Sequence, residues 1–126
     1  RKKRIEIFEP HFRRNFIHVR DVVNGIVFAI NNFKRLNKNT FNLGLSNANI
    51  TKIQLAKKIK NHLKKTKIKI IHGKNDPDKR DYFVSNKKIE KEGFEAKISL
   101  DQGILELVSV LNKKKQKIVN NYIPKS

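Results

Sequence analysis

The chain has 126 residues, no cysteine and a formal net charge of +19 at pH 7. This length fits one domain with a single modest core. The lack of cysteine excludes disulfides and thiolate metal sites, which is typical of a cytoplasmic protein. No apolar run reaches the roughly 18 residues of a membrane span, so we expect no membrane partner. The chain starts with four basic residues and no Met, which favours a fragment of a longer protein.

The strong positive charge points first to nucleic acid, because basic surfaces release counterions from phosphate backbones. The 23 Lys and 7 Arg, however, are spread along the whole chain, and 16 Ile and 15 Asn against 4 Ala indicate codons biased toward A and T. We therefore do not expect a nucleic-acid partner. A basic nucleic-acid-binding module without enzymatic activity stays the alternative function, and its binding would weaken steeply with salt.

The first third of the chain predicts two short strands and a helix. Ile5–Phe8 alternates like a strand ended by Pro10, and Phe16–Val19 is a second extended piece. Asp21 then begins a helix, in which Gly25 either permits close packing or is merely tolerated. The apolar residues of this helix recur at spacings of three and four: Val23, Ile26, Val27, Ile30 and Phe33.

The middle of the chain predicts a strand, a helix and a strand. Thr40–Gly44 is a brief strand that stops at glycine. Thr51 and Gln54 have the spacing of a capping box, so they begin a second helix. Its apolar stripe consists of Ile53, Ala56, Ile59 and Leu63. Lys67–Ile70 alternates as the next strand.

The last third predicts one short extended piece and two helices. Tyr82–Val84 is extended, and Asn86 caps a short helix over 87–92, which Gly93 closes in left-handed geometry. A second capping box, Ser99 with Gln102, begins the last helix, whose apolar face consists of Leu100, Ile104, Leu107, Val108 and Leu111.

Together these elements predict an α/β fold with three or four short strands alternating with three or four helices. No strand leads through a glycine-rich turn into a helix, so the sequence contains no complete Rossmann unit. We expect one domain over residues 1–112 and a basic tail over 113–126, with the Lys113–Lys117 run frayed or solvent-bound.

Two arginines are the candidate binding residues. Arg14 precedes the Phe16–Val19 run, where its planar guanidinium can present two parallel donors to a phosphate or carboxylate, although a simply solvated arginine fits the same pattern. The loop Asp76–Tyr82 holds three acids and two bases. It is either an ion-paired turn that holds the next segment, or it directs Arg80 toward the ligand of Arg14. Two guanidinium groups on one pyrophosphate would give both orientation and affinity.

The four histidines do not predict a metal site, because no two of them have ligand spacing. His18 lies between Ile17 and Val19 and is expected to be partly buried and hydrogen-bonded. The scattered histidines are His11, His18, His62 and His72.

Several short motifs occur in a characteristic order. They are Arg14–Val22, Phe41–Gly44, Asp78–Arg80 followed by Val84-Ser85-x-x-Lys88-Ile89, Gly93-Phe94, and Ser99-Leu100-x-x-Gly103-Ile104. In this order, from about Ile5 to about Leu111, they resemble the carboxyl-terminal portion of the extended short-chain dehydrogenase/reductase superfamily. The likeness is to the NAD-dependent epimerases and dehydratases that act on nucleotide-sugars.

The resemblance implies that this chain is the substrate-binding part of such an enzyme. Arg14 and Arg80 would contact the diphosphate of a nucleotide-diphosphate sugar, and Asn42 would also bind substrate. NAD or NADP would be bound in the full-length enzyme by a missing amino-terminal Rossmann domain and not by this fragment. The full-length enzyme would be cytoplasmic, a possible homodimer, and would serve cell-surface polysaccharide synthesis.

The family's catalytic Tyr-x-x-x-Lys pair is absent from the sequence. Tyr82 is followed four residues later by Asn86, and Tyr122 by Ser126. The family's usual Gly-Asp-Gly ahead of the first motif is replaced by Glu9-Pro10-His11-Phe12. We therefore expect no turnover by this chain alone and assign it no catalytic residue.

Overall fold

The computed structural model describes residues 4–73 and 80–117. These residues form an α/β fold of four short strands, five α-helices and one 3₁₀ turn over Ser46–Ala48, as predicted in class. The strands are β1 (Arg4–Ile7), β2 (Arg13–Asn15), β3 (Asn49–Thr51) and β4 (Lys67–Ile70). The helices are α1 (Val19–Asn31), α2 (Phe33–Leu36), α3 (Lys52–His62), α4 (Lys87–Lys91) and α5 (Leu100–Lys117).

The strands pair in two separate two-stranded sheets. β1 and β4 are parallel, with Ile5 opposite Ile68, so the two strands predicted from alternation are confirmed. β2 and β3 are antiparallel, with Arg14 opposite Ile50. The predicted strand over Phe16–Val19 is wrong, because β2 ends at Asn15 and α1 already begins at Val19.

Helix α1 begins earlier than predicted. His18 is the residue that caps it, since its Nδ1 accepts a hydrogen bond from Arg20 N at 3.1 Å. Asp21 instead lies in the first turn, where it is buried and its Oδ2 accepts a hydrogen bond from Ile98 N at 2.8 Å. The predicted burial of His18 is confirmed, because its side chain is only 12% exposed. Its Nε2 lies 3.2 Å from Glu106 Oε2 of α5.

Gly25 lies where α1 packs most closely against the rest of the chain. A Cβ added there would come within 2.8 Å of Leu43 Cδ1 and 3.3 Å of Phe94 Cζ. The close packing considered from the sequence is therefore present. Phe28, three residues further on, also contacts Phe94, with ring centroids 5.6 Å apart.

Both predicted capping boxes are confirmed. Thr51 and Gln54 exchange side-chain to backbone hydrogen bonds at the start of α3, and Ser99 and Gln102 do so ahead of α5. α5 extends past the predicted Leu111, and its backbone stays helical through Lys117. The division at residue 112 stays a prediction, and residues 118–126 lie outside the described part.

The short helix α4 was predicted at the right place, with one wrong detail. Gly93 has φ of +98°, the left-handed conformation expected after a helix. Asn86 lies at the N-cap but makes no capping hydrogen bond. Its buried amide Nδ2 donates instead to Ser46 Oγ at 3.3 Å, because a tertiary partner is within reach.

The core lies between the segment ahead of β3 and the segment ahead of α5. Leu45, Ala48 and Ala96 are buried there, with Phe16, Ile17 and Leu100 packed against them. The predicted strand Thr40–Gly44 is wrong, since no described strand pairs with it. This core fixes β2 and the 42–49 segment relative to each other, and both border the candidate site.

Candidate functional site

Residues 80–86 form a segment without helix or strand, here called the strap, that contacts β2 and the 42–49 segment. Two asparagines hold its backbone. Asn49 donates from Nδ2 to Val84 O at 3.0 Å and accepts from Val84 N at 2.8 Å. Asn42 donates from Nδ2 to Ser85 O at 3.1 Å. The predicted extended piece over Tyr82–Val84 does not belong to a described strand, and side chains of Asn42 and Asn49 contact the strap's backbone at Val84 and Ser85.

Arg13 fixes the other end of the strap. Its Nε and Nη2 donate to the two carboxylate oxygens of Asp81 at 3.1 and 3.0 Å, and its backbone N donates to Oδ1 at 2.7 Å. These hydrogen bonds lower the pKa of the Asp81 carboxyl and raise the pKa of Arg13. A two-pronged pair has a defined geometry, so Arg13 sets the position of Asp81 and its neighbours.

Arg14, the next residue of β2, also contacts the strap near Asp81. Its Nη1 donates to Arg13 O at 2.7 Å and to Arg80 O. Its guanidinium carbon lies 5.1 Å from the centroid of the Tyr82 ring, the distance of a cation–π contact. The structure therefore brings the Arg14 side chain to the backbone of Arg80, 66 residues away in sequence.

The chemistry around Arg14 is cationic and aromatic. Arg13 is paired with Asp81, whereas the Arg14 guanidinium lies beside the exposed ring of Tyr82 and donates to the backbone carbonyl of Arg80. Positive groups beside an exposed ring suit a ligand that carries both negative charge and a flat or apolar part. We refer to Arg14, Arg80 and Tyr82 as the arginine corner.

The predicted site residues are placed as follows. The Arg14 side chain contacts the backbone of Arg80, while Asn42 contacts the strap at Ser85, beyond Tyr82. The side chain of Asn42 therefore hydrogen-bonds to the backbone of the strap. Its role in binding substrate stays a prediction. The ion-paired turn and the shared ligand were alternatives for the loop that ends at Tyr82. Asp81 of this loop forms an ion pair with Arg13 of β2, outside the loop. The other two acids of the loop, Asp76 and Asp78, lie outside the described residues.

Local residue pattern does not distinguish Arg13 from Arg14 as the partner of a carboxylate. Both side chains contact residues 80–82, and the tertiary position of Asp81 decides that Arg13 is the one that pairs with a carboxylate. The acid-rich loop in the sequence was the one available signal for such a partner.

Within residues 4–73 and 80–117, no cluster of His, Cys, Asp or Glu side chains is arranged to hold a metal ion. His18 caps α1, and His62 Nε2 lies 3.4 Å from Asp101 Oδ1 near the start of α5. Separately, none of the described helices is long and apolar enough to cross a membrane.

No known family model matches the chain. Solved structures do. A protein named DdhaC is 28% identical with a TM-score of 0.69, over 90% of this chain and 34% of its own. The GDP-mannoheptose C4 reductase of Campylobacter jejuni, solved with NADP bound, is 25% identical with a TM-score of 0.65, over 81% and 32%.

A third similar structure is the GDP-D-glycero-L-gluco-heptose synthase of Campylobacter jejuni, solved with NADPH. It is 25% identical with a TM-score of 0.64, over 81% of this chain and 31% of its own. The chain has the fold of the carboxyl-terminal portion of an extended short-chain dehydrogenase/reductase. It spans about a third of the length of the solved structures it matches.

The β3–α3 junction does not have the glycine-rich turn of a dinucleotide-binding site. β3 runs directly into α3, with Thr51 as the cap and no glycine between them. A dinucleotide diphosphate needs a glycine-rich turn at that junction so that the backbone can approach it.

Proposed function

We propose that the chain is the substrate-binding portion of an NAD(P)-dependent enzyme that modifies a nucleotide-linked sugar, by epimerisation, dehydration or reduction. The arginine corner binds the diphosphate of the substrate. Two of the similar structures are named for a GDP-linked heptose, so a GDP-sugar is the first substrate class to test.

The observation that carries this proposal is the position of the Arg14 guanidinium, which lies beside the Tyr82 ring and donates to the backbone carbonyl of Arg80. A diphosphate carries closely spaced negative oxygens, and guanidinium groups match such oxygens in both charge and geometry. The Arg13 pair with Asp81 and the Asn49 contacts with Val84 hold the two segments before any ligand arrives. A site that is already ordered loses less entropy on binding.

The chain's part in the reaction is to bind and orient. The diphosphate lies away from the reacting sugar carbon, so binding it supplies energy that positions the sugar rather than stabilising the changing bonds. The sequence has no Tyr-x-x-x-Lys pair, and the chemical step is assigned to the rest of the enzyme.

Calorimetric titration of the chain with GDP tests the proposal. We expect weak binding that falls at least tenfold in Arg14→Ala. The matched control is Lys57→Ala, which removes the same charge from an exposed position on α3. Circular dichroism verifies that both variants are folded.

Three results decide between diphosphate recognition and general charge attraction. The proposal predicts a loss in Arg14→Ala, no change in Lys57→Ala, and weaker binding of GMP than of GDP. Undiminished binding by Arg14→Ala, or equal weakening in both variants, would refute it.

A further inference from the structure

Strand β1 has an open edge. Among the residues that the structure describes, β4 is the one strand paired with β1, so no strand lies beside its other edge. Ile7 O accepts from Ile71 N at 2.9 Å, so the polar backbone groups of Ile7 point toward β4. Because these groups alternate in direction along a strand, those of Glu6 point toward the open edge.

An apolar groove of about 290 Å³ lies between β1 and α3. Its lining comes from β1, from the residue after β1 and from α3, and not from β4. The groove therefore opens on the side of β1 that has no neighbouring strand. Its apolar lining residues are Ile5, Ile7, Phe8, Leu55, Ala56 and Ile59.

An open strand edge beside an apolar groove is an arrangement that binds an extended peptide. The peptide backbone pairs with the edge, and every second side chain enters the groove. β1 has the same alternation, because Ile5 and Ile7 line the groove while Arg4 and Glu6 are exposed. A strand added beside β1 would therefore place one set of side chains in the groove and the other set beside Arg4 and Glu6.

The charges around this edge favour acidic side chains on the added strand. In the ladder with β4, Lys67 lies opposite Arg4 and Lys69 lies opposite Glu6, and both lysines are exposed. The carboxylate of Glu6 is paired with Arg4, whose Nη2 lies 2.5 Å from Glu6 Oε1. The outer face is therefore positive on balance, and opposite charges on neighbouring strands stabilise their pairing.

The sequence around the groove lacks acidic residues. The chain has 11 Asp and Glu, and none of them lies between Asp21 and Asp76. A codon bias toward A and T accounts for abundant Lys, but it does not account for missing Glu, which also has an A-rich codon. α3 and β4 both lie in this acid-free stretch, so the walls of the site present no carboxylate of their own to repel an acidic partner.

We propose that the open edge of β1 and the groove beside it dock an extended segment of another protein, in which apolar residues alternate with acidic ones. The segment adds to the sheet as a third strand, pairs with the backbone of Glu6, and places its apolar side chains against Leu55 and Ile59. A second copy of this chain fits less well, since two chains of net charge +19 repel each other. The site does not involve the arginine corner, so it is independent of the proposed function.

Fluorescence anisotropy with synthetic peptides tests the proposal. The probe is a fluorescein-labelled peptide of four Glu alternating with three Val. Its matched control has the same composition with the three Val residues contiguous. Charge attraction is equal for the two peptides, but only the alternating order sorts Val into the groove and Glu away from it. We expect the alternating peptide to bind at least tenfold more tightly, and equal binding or no binding would overturn the proposal.

Two substitutions of Glu6 separate backbone pairing from the effect of the side chain. Glu6→Pro removes the N–H at the open edge, where proline breaks no hydrogen bond to β4. Glu6→Ala removes the same carboxylate and keeps the N–H. We expect Glu6→Pro to weaken binding at least tenfold and Glu6→Ala to bind at least as tightly as the parent chain. Equal binding by the two variants, both verified as folded by urea unfolding, would overturn the proposal.

N-methylation of the peptide tests strand pairing with the chain unchanged, so it decides the matter even where Glu6→Pro unfolds the chain. Methyl groups on alternate backbone nitrogens block one edge of the peptide, and methyl groups on the other nitrogens block the opposite edge. One of these two peptides should bind like the unmodified probe and the other at least tenfold more weakly. Equal binding of the two would show that no strand is added and would overturn the proposal.

Two further outcomes would identify another occupant and would also overturn the proposal. A dimer mass in analytical ultracentrifugation that disappears in Glu6→Pro would assign the edge to a second copy of the chain. Binding of oligo-dT that is tighter than that of the alternating peptide, and that Glu6→Pro weakens equally, would assign the site to nucleic acid.

Discussion

Gly44 lies at the closest approach between the 42–49 segment and β2. A Cβ added at Gly44 would overlap Asn15 Oδ1 and would lie 2.9 Å from Asn15 Cγ and 3.0 Å from Asn86 Oδ1. Asn15 cannot move without loss, because its Nδ2 donates to Leu45 O at 2.9 Å and its Oδ1 accepts from Leu45 N at 3.1 Å. Gly44→Ala must therefore break this pair of hydrogen bonds.

The expected magnitude follows from that pair. Two partly buried hydrogen bonds at about 1 kcal/mol each, with some overpacking, give a loss of about 2–3 kcal/mol in the free energy of unfolding. For a domain of this size, that is a fall of about 8–12 °C in Tm. Urea unfolding and thermal scans measure both quantities.

A double-mutant cycle with Asn15→Ala identifies the cause. In the Asn15→Ala background, the added Cβ no longer overlaps the Asn15 amide. Gly44→Ala should then lower the free energy of unfolding by less than about 1 kcal/mol. Lys57→Ala, an exposed control, should change stability by less than about 0.5 kcal/mol. Equal costs of Gly44→Ala with and without Asn15 would refute the reasoning.

The remaining predictions concern α3 and α5. The pKa of the Asp101 carboxyl is lowered first by its hydrogen bond from Lys58 Nζ, at 2.6 Å, and then by His62. A lowered folded-state pKa contributes stability above the ordinary value of 3.8 that is lost as pH falls through the lowered value. Lowering the pH below about 4 should therefore reduce the free energy of unfolding more in the parent chain than in Asp101→Asn, as measured by urea unfolding at each pH. Identical pH profiles of the two proteins would contradict this. Thr51→Ala should cost about 1 kcal/mol by removing the α3 cap, and an unchanged unfolding midpoint would contradict that.

The sequence predicted what depends on near neighbours. The capping box of Thr51 and Gln54 involves residues three apart, so its residue types alone specify the start of α3. The alternation in Lys67–Ile70 likewise specifies a strand, and Gly93 specifies the end of α4. These features need no knowledge of the tertiary fold.

What the sequence did not predict depends on distant partners. Asp21 has the pattern of a helix start, yet its carboxylate accepts a hydrogen bond from the backbone of Ile98, 77 residues away. Asn86 has the pattern of a cap, yet Ser46 is within its reach. Thr40–Gly44 has the composition of a strand, but a strand forms only beside a partner, and no described strand lies there.

The binding roles of the candidate site residues stay predictions, and the contacts that hold the strap were not predicted. Arg14 and Arg80 were selected because guanidinium groups suit phosphate, and the Arg14 side chain contacts the backbone of Arg80. Arg13 was not selected, although its pair with Asp81 fixes the strap. Local pattern cannot distinguish these two adjacent arginines, because their roles depend on the tertiary position of Asp81.

Chemical-shift mapping with GDP tests most directly whether the arginine corner holds the diphosphate. In ¹⁵N-labelled protein, the largest shifts should fall on the amides of residues 13–15 and 80–86 and on the side-chain Nε–H of Arg14. Mapping detects the weak binding expected of the chain without its remainder. Shifts spread over the lysines of α3, with residues 13–15 and 80–86 unmoved, would contradict the account.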